Sequence, residues 1–97
     1  MYLKKHYSDQ ILIVAVCDRD LIGRCFRENN LQIEVHRDFY GGEPATSDTI
    51  ASALADANVA NIVGGRSIRC AIASGFIDPK KIITIDGVPH AQMVRIR

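Results

Sequence analysis

Tryptophan is absent from this sequence, aromatic residues make up only 6% of it, and its three cysteines are too few for a disulfide framework. Cys17, Cys25 and Cys70 also lack the paired spacing of a zinc ligand set, so we predict buried structural thiols and no metal site. No apolar stretch approaches the roughly 18 residues that a membrane-spanning helix needs. The start of the sequence lacks a signal-peptide pattern, which predicts a cytoplasmic protein.

The composition is that of an ordinary globular chain, with 97 residues of which 47% are hydrophobic and 24% charged. That length predicts a single domain over residues 1–97. The net charge of +1 conceals an asymmetry, because residues 1–58 carry six Lys/Arg against nine Asp/Glu, whereas residues 59–97 carry six against two. The second half therefore offers a basic surface to an anionic partner.

The first half of the chain is patterned as strands. Ile11–Cys17 is a continuous apolar run rich in β-branched residues, which predicts a central strand covered on both faces. Asp18 directly follows it and is expected to cap the short turn there. Residues 24–36 predict a hairpin whose tight turn lies at Asn29-Asn30, because asparagine tolerates a positive φ.

The second half combines helices with strands. Spacing of apolar residues and capping signals predict helices over residues 47–58 and 66–74, with a strand at Val59–Val63 between them. Two final strands are predicted over residues 81–85 and 88–97, joined by a tight turn. The sequence thus predicts the α+β class, with a mixed β-sheet of about six to seven strands, two main helices and a βαβ-like second half.

The first candidate site lies where the Val59–Val63 strand meets the second helix. Gly64 and Gly65 open that helix, whose free backbone N–H groups and positive dipole end suit a phosphate or carboxylate. Arg66 and Ser67 add donors beside them. The spacing matches neither a P-loop nor a dinucleotide-binding fingerprint, and the glycine pair also suits a simple tight turn.

Two further segments carry residues whose chemistry exceeds what folding requires. His90 suits a general base, a ligand or a pH-sensitive contact, or else a hydrogen-bonded structural histidine. The glycines and the proline of residues 39–44 predict a loop. Within it, Tyr40 followed by Gly41 and Gly42 suits either a ring that stacks on a ligand or an aromatic group that closes one end of the core. Asn61 lies on the strand that leads into the glycine pair and completes the set of candidate ligand-binding residues.

Several short segments together resemble one known family. These are Cys17-Asp18, Gly23, Phe39-Tyr40-Gly41-Gly42, Ala60-Asn61-Ile62-Val63-Gly64 and Gly87-Val88-Pro89-His90-Ala91-Gln92. In this order, and over essentially the whole chain, the sequence resembles the archaeal family catalogued as domain of unknown function 424. The resemblance implies an archaeal, cytoplasmic protein without an established activity, and it transfers no catalytic or binding residue.

Two functional hypotheses follow. The first is a non-catalytic binding module that contacts RNA, a ribonucleoprotein or another anionic partner through the basic second half. The alternative is a small enzyme or ligand-binding protein with an anion or phosphate pocket formed by Gly64-Gly65-Arg66 and His90. No motif for a base-activated nucleophile or a cofactor is present, and Cys17, at the end of the central strand, is the thiol to test.

Geometry separates the two hypotheses. The alternative needs His90 and the glycine turn to face one concave pocket. The module needs the second-half arginines to form one flat patch, made of Arg66, Arg69, Arg95 and Arg97. The sequence does not fix the oligomeric state, although the edge of the last strand leaves room for a homodimer.

Overall fold

The computed structural model describes residues 1–95, which form eight strands and three α-helices. Along the chain these are β1 (Tyr2–Ser8), β2 (Ile11–Cys17), β3 (Cys25–Glu28), β4 (Leu31–Glu34), α1 (Arg37–Tyr40), β5 (Glu43–Pro44), α2 (Ser47–Asp56), β6 (Val59–Val63), α3 (Gly65–Ala73), β7 (Ile83–Ile85) and β8 (Val88–Val94). Short 3₁₀ turns follow β2 and precede β7. The predicted α+β class is confirmed.

Six of the strands form one mixed sheet in the order β5-β1-β2-β6-β8-β7, and β3 pairs with β4 in a separate hairpin. Only the central pair of the six, β2 and β6, is parallel, and it aligns Cys17 with Val63. The carboxyl ends of the two central strands consequently lie side by side. Strand β7 also runs parallel to β6, with the antiparallel β8 between them, so β6-α3-β7 forms the expected βαβ-like arrangement of the second half.

The sheet is covered on both faces, as the apolar run of β2 predicts. Helices α2 and α3 cover one face with side chains such as Ile50, Leu54 and Ile68, which pack on β2 and β6. On the other face, Phe26 of the hairpin and Tyr40 of α1 belong to a second apolar cluster. No helix in the part of the chain described is long and apolar enough to cross a membrane.

Several boundaries differ from those expected. Helix α2 ends at Asp56 because the Asn58 side chain accepts a hydrogen bond from the Leu12 backbone N–H at 2.8 Å, which holds residue 58 beside β2. Residues 39–44, expected as a loop, contain the end of α1 and all of β5. Strand β8 ends at Val94, and the rest of the predicted strand extends into residues 96–97, outside the described part.

Candidate functional site

Asp18, which follows β2, caps the first turn of α3, which follows the neighbouring strand β6. Its backbone N–H donates to the Val63 carbonyl oxygen at 3.1 Å, which fixes Asp18 beside the end of β6. Its Oδ1 accepts from the Ser67 N–H at 2.9 Å and the Ser67 hydroxyl at 2.8 Å, while Oδ2 accepts from the Arg66 N–H at 3.2 Å. The expected side-chain cap of the turn after β2 is therefore wrong, since that turn receives no side-chain hydrogen bond from Asp18.

Gly64 is required by this arrangement. Its φ of +105° lies in a region that side chains disfavour, and a Cβ there would stand 2.6 Å from Asp18 Oδ2. Its N–H donates to the Pro89 carbonyl oxygen at 2.9 Å, which ties the turn to β8. The Asp18 carboxylate thus occupies the position that the sequence suggested for an external anion, and it satisfies the same N–H donors.

A surface cavity of about 450 Å³ adjoins the capped end of α3. Its lining residues are Met1, Asp18, Arg19, Asp20, Gly65, Arg66 and Arg69. The three arginines are exposed, and within residues 1–95 none of their guanidinium groups forms an ion pair. Arg19 packs its guanidinium over the Tyr2 ring, 5.8 Å from the ring centroid, which is a cation–π contact. Three guanidinium groups without an ion-pair partner among the described residues therefore face one concave surface, which we call the arginine cavity.

Arg95 is not part of this basic site. Its guanidinium donates to the carbonyl oxygens of Ala55 at 2.8 Å and Leu54 at 3.3 Å, and so binds the carboxyl end of α2. It also lies over the Phe76 ring at 5.5 Å. The expected flat patch therefore does not include Arg95, and Arg97 lies outside the described residues.

Arg19 was missed by the sequence analysis. The signal that points to it is its place directly after Asp18, at the end of a predicted central strand. In sheets with parallel strands, residues at the carboxyl ends of neighbouring strands share one edge. Had β2 been known to neighbour β6, Arg19 would have been expected near Gly65 and Arg66.

The aromatic and glycine segment has a structural role at a distance from this cavity. Tyr40 is only 5% exposed, and its ring meets that of Phe39 edge-on at 5.0 Å. A Cβ on Gly42 would overlap the carbonyl oxygen of Leu3 and stand 2.8 Å from its carbonyl carbon. Gly41 and Gly42 line another cavity, of about 460 Å³, beside β1. Of the two interpretations of this segment, the geometry thus favours the structural one, in which its residues close one end of the core, and not the one in which Tyr40 stacks on a ligand.

The Cys17 thiol is fully buried beside Tyr40 in the second apolar cluster, whereas Cys25 is exposed on the hairpin, so the prediction of a buried thiol is confirmed for Cys17 and wrong for Cys25. Burial, with a smaller contribution from the charge of Asp18, raises the pKa of Cys17 to about 11. Burial likewise raises the pKa of Tyr40 to about 12. Both groups are thus protonated and uncharged at neutral pH, which is the opposite of what a nucleophilic thiol needs.

Alkylation at pH 8 is therefore expected to discriminate sharply among the cysteines. The exposed Cys25 should react in the native protein, and Cys17 should react at least about a hundredfold more slowly because of its small thiolate fraction and its burial. Mass spectrometry of peptides from native and denatured protein gives the two rates. Comparable native rates for Cys17 and Cys25 would contradict the burial of Cys17.

Asn61 and His90 lie on the face of the sheet that the hairpin partly covers, because they alternate with Ala60, Ile62 and Ala91 on the helix side. Neither lines the arginine cavity, and the structure does not place the His90 side chain with the glycine turn in one pocket. The backbone beside His90 does contact the glycine turn, since the Gly64 N–H donates to the carbonyl oxygen of Pro89. Within residues 1–95, no group of three His, Cys, Asp or Glu side chains is arranged to hold a metal ion.

Burial lowers the pKa of His90 from its ordinary value of 6.5. Below pH 6.5, His90 therefore binds a proton more readily in the unfolded state than in the folded state. The contribution of the neutral, buried His90 to the free energy of unfolding is thus present above pH 6.5 and is lost as the pH falls through the pKa of the folded state. We expect His90→Gln to reduce the pH dependence of unfolding below pH 7, by at most about 1.4 kcal/mol per pH unit. Urea titrations at several pH values measure it. His36→Gln, at an exposed site, is the control, and an equal change there would contradict the assignment.

Comparisons with known proteins agree with this fold and are silent on activity. A family model described as "Protein of unknown function (DUF424)" matches residues 6–96. A crystal structure of an uncharacterized conserved protein from Methanopyrus kandleri is similar, with a TM-score of 0.80 and 22% sequence identity. The match covers 99% of this chain and 93% of that one, and at this identity it shows the fold alone. No curated protein matches the chain.

Proposed function

The chain belongs to the DUF424 family of proteins of unknown function, so its function has to be inferred from its own candidate site. We propose that it is a non-catalytic module that binds RNA, free or in a ribonucleoprotein. One observation carries the proposal. Arg19, Arg66 and Arg69 line one cavity and, within residues 1–95, have no carboxylate partner. A guanidinium fork matches the geometry of a phosphate, which makes phosphate the ligand group that best suits three such forks.

Asp18 does not oppose this role strongly. Both of its oxygens accept hydrogen bonds from the first turn of α3, so its charge is largely satisfied by the helix. Asp20 remains as an exposed acid at the cavity, which leaves three cationic and two anionic side chains there. Such a modest excess suits weak contact with several phosphates better than tight capture of one, and we expect dissociation constants of about 1–100 μM.

The lining of the cavity supports binding over catalysis. Its side chains include no histidine, cysteine or hydroxyl group among the described residues. The hydroxyl of Ser67, in the first turn of α3, is fully buried and donates to Asp18, so it is held away from any ligand. A general base with a tuned pKa or an activated nucleophile is what most enzymes place at this point.

The family resemblance and the Methanopyrus kandleri origin of the similar structure support an archaeal source, and cytoplasmic residence stays a prediction. Both are compatible with an RNA partner.

The proposal is tested by the fluorescence anisotropy of a labelled single-stranded RNA at 50 and 200 mM KCl. Three phosphate contacts predict a log–log salt slope of about −2, and hence about 18-fold weaker binding at the higher salt. The double variant Arg66→Ala/Arg69→Ala should bind at least about tenfold more weakly at 50 mM, with a slope near −0.7.

The matched control is Lys80→Ala/Lys81→Ala, which removes two positive charges from exposed residues of the same basic half. It should change the affinity less than about twofold, because these lysines do not line the arginine cavity. An absence of binding at 50 mM KCl, or equal losses in the two double variants, would refute the proposal.

A further inference from the structure

Asp20 lines the arginine cavity, but its carboxylate has no partner there. Within residues 1–95 this side chain forms no hydrogen bond and no ion pair, although three guanidinium groups line the same cavity. Asp18 differs, because both of its oxygens accept hydrogen bonds from the first turn of α3. Asp20 therefore keeps two free acceptor oxygens, exposed beside the arginines.

An unpaired carboxylate is not what phosphate binding alone requires. Its charge repels the phosphate groups that the arginines attract. The backbone of RNA offers it few donors, because phosphate oxygens only accept hydrogen bonds and the ribose hydroxyl is a single donor. The bases, in contrast, carry N–H groups at their edges, and a carboxylate accepts from these. Asp20 is thus suited to a base and not to a phosphate.

The cavity has two walls, which come from different elements. The short turn after β2 contributes Arg19 and Asp20, and α3 contributes Arg66 and Arg69. Arg19 is held in place by the Tyr2 ring, 5.8 Å from its guanidinium, and an arginine plane can take a stacked base. The volume of about 450 Å³ lies in the range of small-molecule sites. One nucleotide therefore fits with its phosphate at the α3 wall and its base at the turn.

We propose that Asp20 makes the arginine cavity selective for an unpaired guanine in single-stranded RNA, an inference that rests on the proposed function. Guanine carries two N–H donors side by side on its Watson–Crick edge, and these match the two oxygens of a carboxylate. Adenine, cytosine and uracil each set an acceptor beside their donor on that edge, and this acceptor repels the second oxygen. The edge is accessible only where the base is unpaired.

Fluorescence anisotropy of four labelled RNA pentamers at 50 mM KCl tests the inference. The pentamer UUGUU should bind at least about fivefold more tightly than UUAUU, UUCUU or UUUUU, since a bidentate contact to a base discriminates by this factor or more. Asp20→Asn keeps the shape of the side chain and removes its charge and one acceptor oxygen. It should reduce the guanine preference to about twofold or less.

The same variant should bind UUUUU slightly more tightly than the unmodified chain does, because a negative charge has left a cavity that holds phosphate. Affinity for the guanine pentamer and for the uracil pentamer should therefore change in opposite directions. Asp9→Asn is the matched control, since Asp9 is an exposed acid at the turn between β1 and β2 and does not line the cavity. It removes the same charge and should leave the guanine preference unchanged, and melting temperatures verify that both variants fold.

The outcomes separate this inference from the proposed function. Equal affinities for the four pentamers, a guanine preference that survives Asp20→Asn, or an equal loss of preference with Asp9→Asn would overturn the inference and leave RNA binding intact. Tighter binding of every pentamer by Asp20→Asn, to the same extent, would also overturn it. An absence of binding of any pentamer would refute the proposed function as well.

Discussion

Gly42→Ala is expected to lower the free energy of unfolding by about 3 kcal/mol or more, which makes it among the most damaging single changes in this chain. The new Cβ would overlap the Leu3 carbonyl oxygen and come within 2.9 Å of Lys4 Cα, both of which are backbone atoms of β1. Rotation of a side chain cannot relieve such an overlap, so the pairing of β5 with β1 must shift. Thermal unfolding should show a fall in Tm of about 12–24 °C.

Gly75→Ala separates this clash from the general cost of replacing a glycine. Gly75 has a φ of +81°, and a Cβ there would meet nothing within 4 Å, so only backbone strain of about 1–2 kcal/mol is expected. Gly42→Ala must therefore lower the Tm clearly more than Gly75→Ala. Equal effects of the two substitutions would show that the contact between Gly42 and β1 is looser than described.

Asp18→Ala is expected to lower the free energy of unfolding by about 2–4 kcal/mol. The substitution removes the acceptor for two N–H groups of the first turn of α3, an effect that alone costs about 1 kcal/mol. It also leaves the Ser67 hydroxyl, which is fully buried, without its acceptor, at about 1–3 kcal/mol more. Asp20→Ala, at an exposed neighbour, should change stability by less than about 0.5 kcal/mol.

A double-mutant cycle isolates the Asp18–Ser67 pair. Ser67→Ala alone removes one hydrogen bond and leaves the cap of α3 in place. In Asp18→Ala/Ser67→Ala no buried hydroxyl is stranded, so the double variant should be more stable than the sum of the two single effects predicts, by about 1 kcal/mol. Strict additivity in urea titrations would contradict the described hydrogen bond.

Local signals in the sequence were sufficient for most of the elements. The structure confirms three elements whose signals depend on neighbouring residues alone. They are the apolar run of β2, the asparagine turn of the hairpin and the helical spacing of apolar residues in α2. Asn29, with a φ of +56°, occupies the left-handed region that the turn requires. Such features are set by backbone preferences over a few residues, which a single sequence records.

The candidate site was only partly predictable, because it depends on which strands are neighbours. The glycine pair and Arg66 were found from local pattern, whereas the cap comes from Asp18, 49 positions before Ser67 in the chain. Nothing local links those two residues. The parallel pairing of β2 with β6 brings them together, and a hairpin, two helices and a strand lie between these two strands in the sequence.

The dispersal of the other candidate residues has the same origin. Asn61 and His90 alternate away from the helices, so they lie on the opposite side of the sheet from α3. Tyr40 turns into the core, because its large ring gains more from burial than from exposure at a loop. A residue type can mark a segment as unusual, but the face on which its side chain lies follows from strand register.

The proposed phosphate-binding role of the arginine cavity is tested most directly by ¹H–¹⁵N NMR titration of the ¹⁵N-labelled chain with a short single-stranded RNA at 50 mM salt. We expect the largest shifts on the backbone amides of Arg19, Gly65, Arg66 and Arg69, and we expect 200 mM salt to reverse most of them. Shifts centred on Asn61 and His90, on the sheet face opposite α3, or no shifts at all at millimolar RNA, would contradict the proposed role.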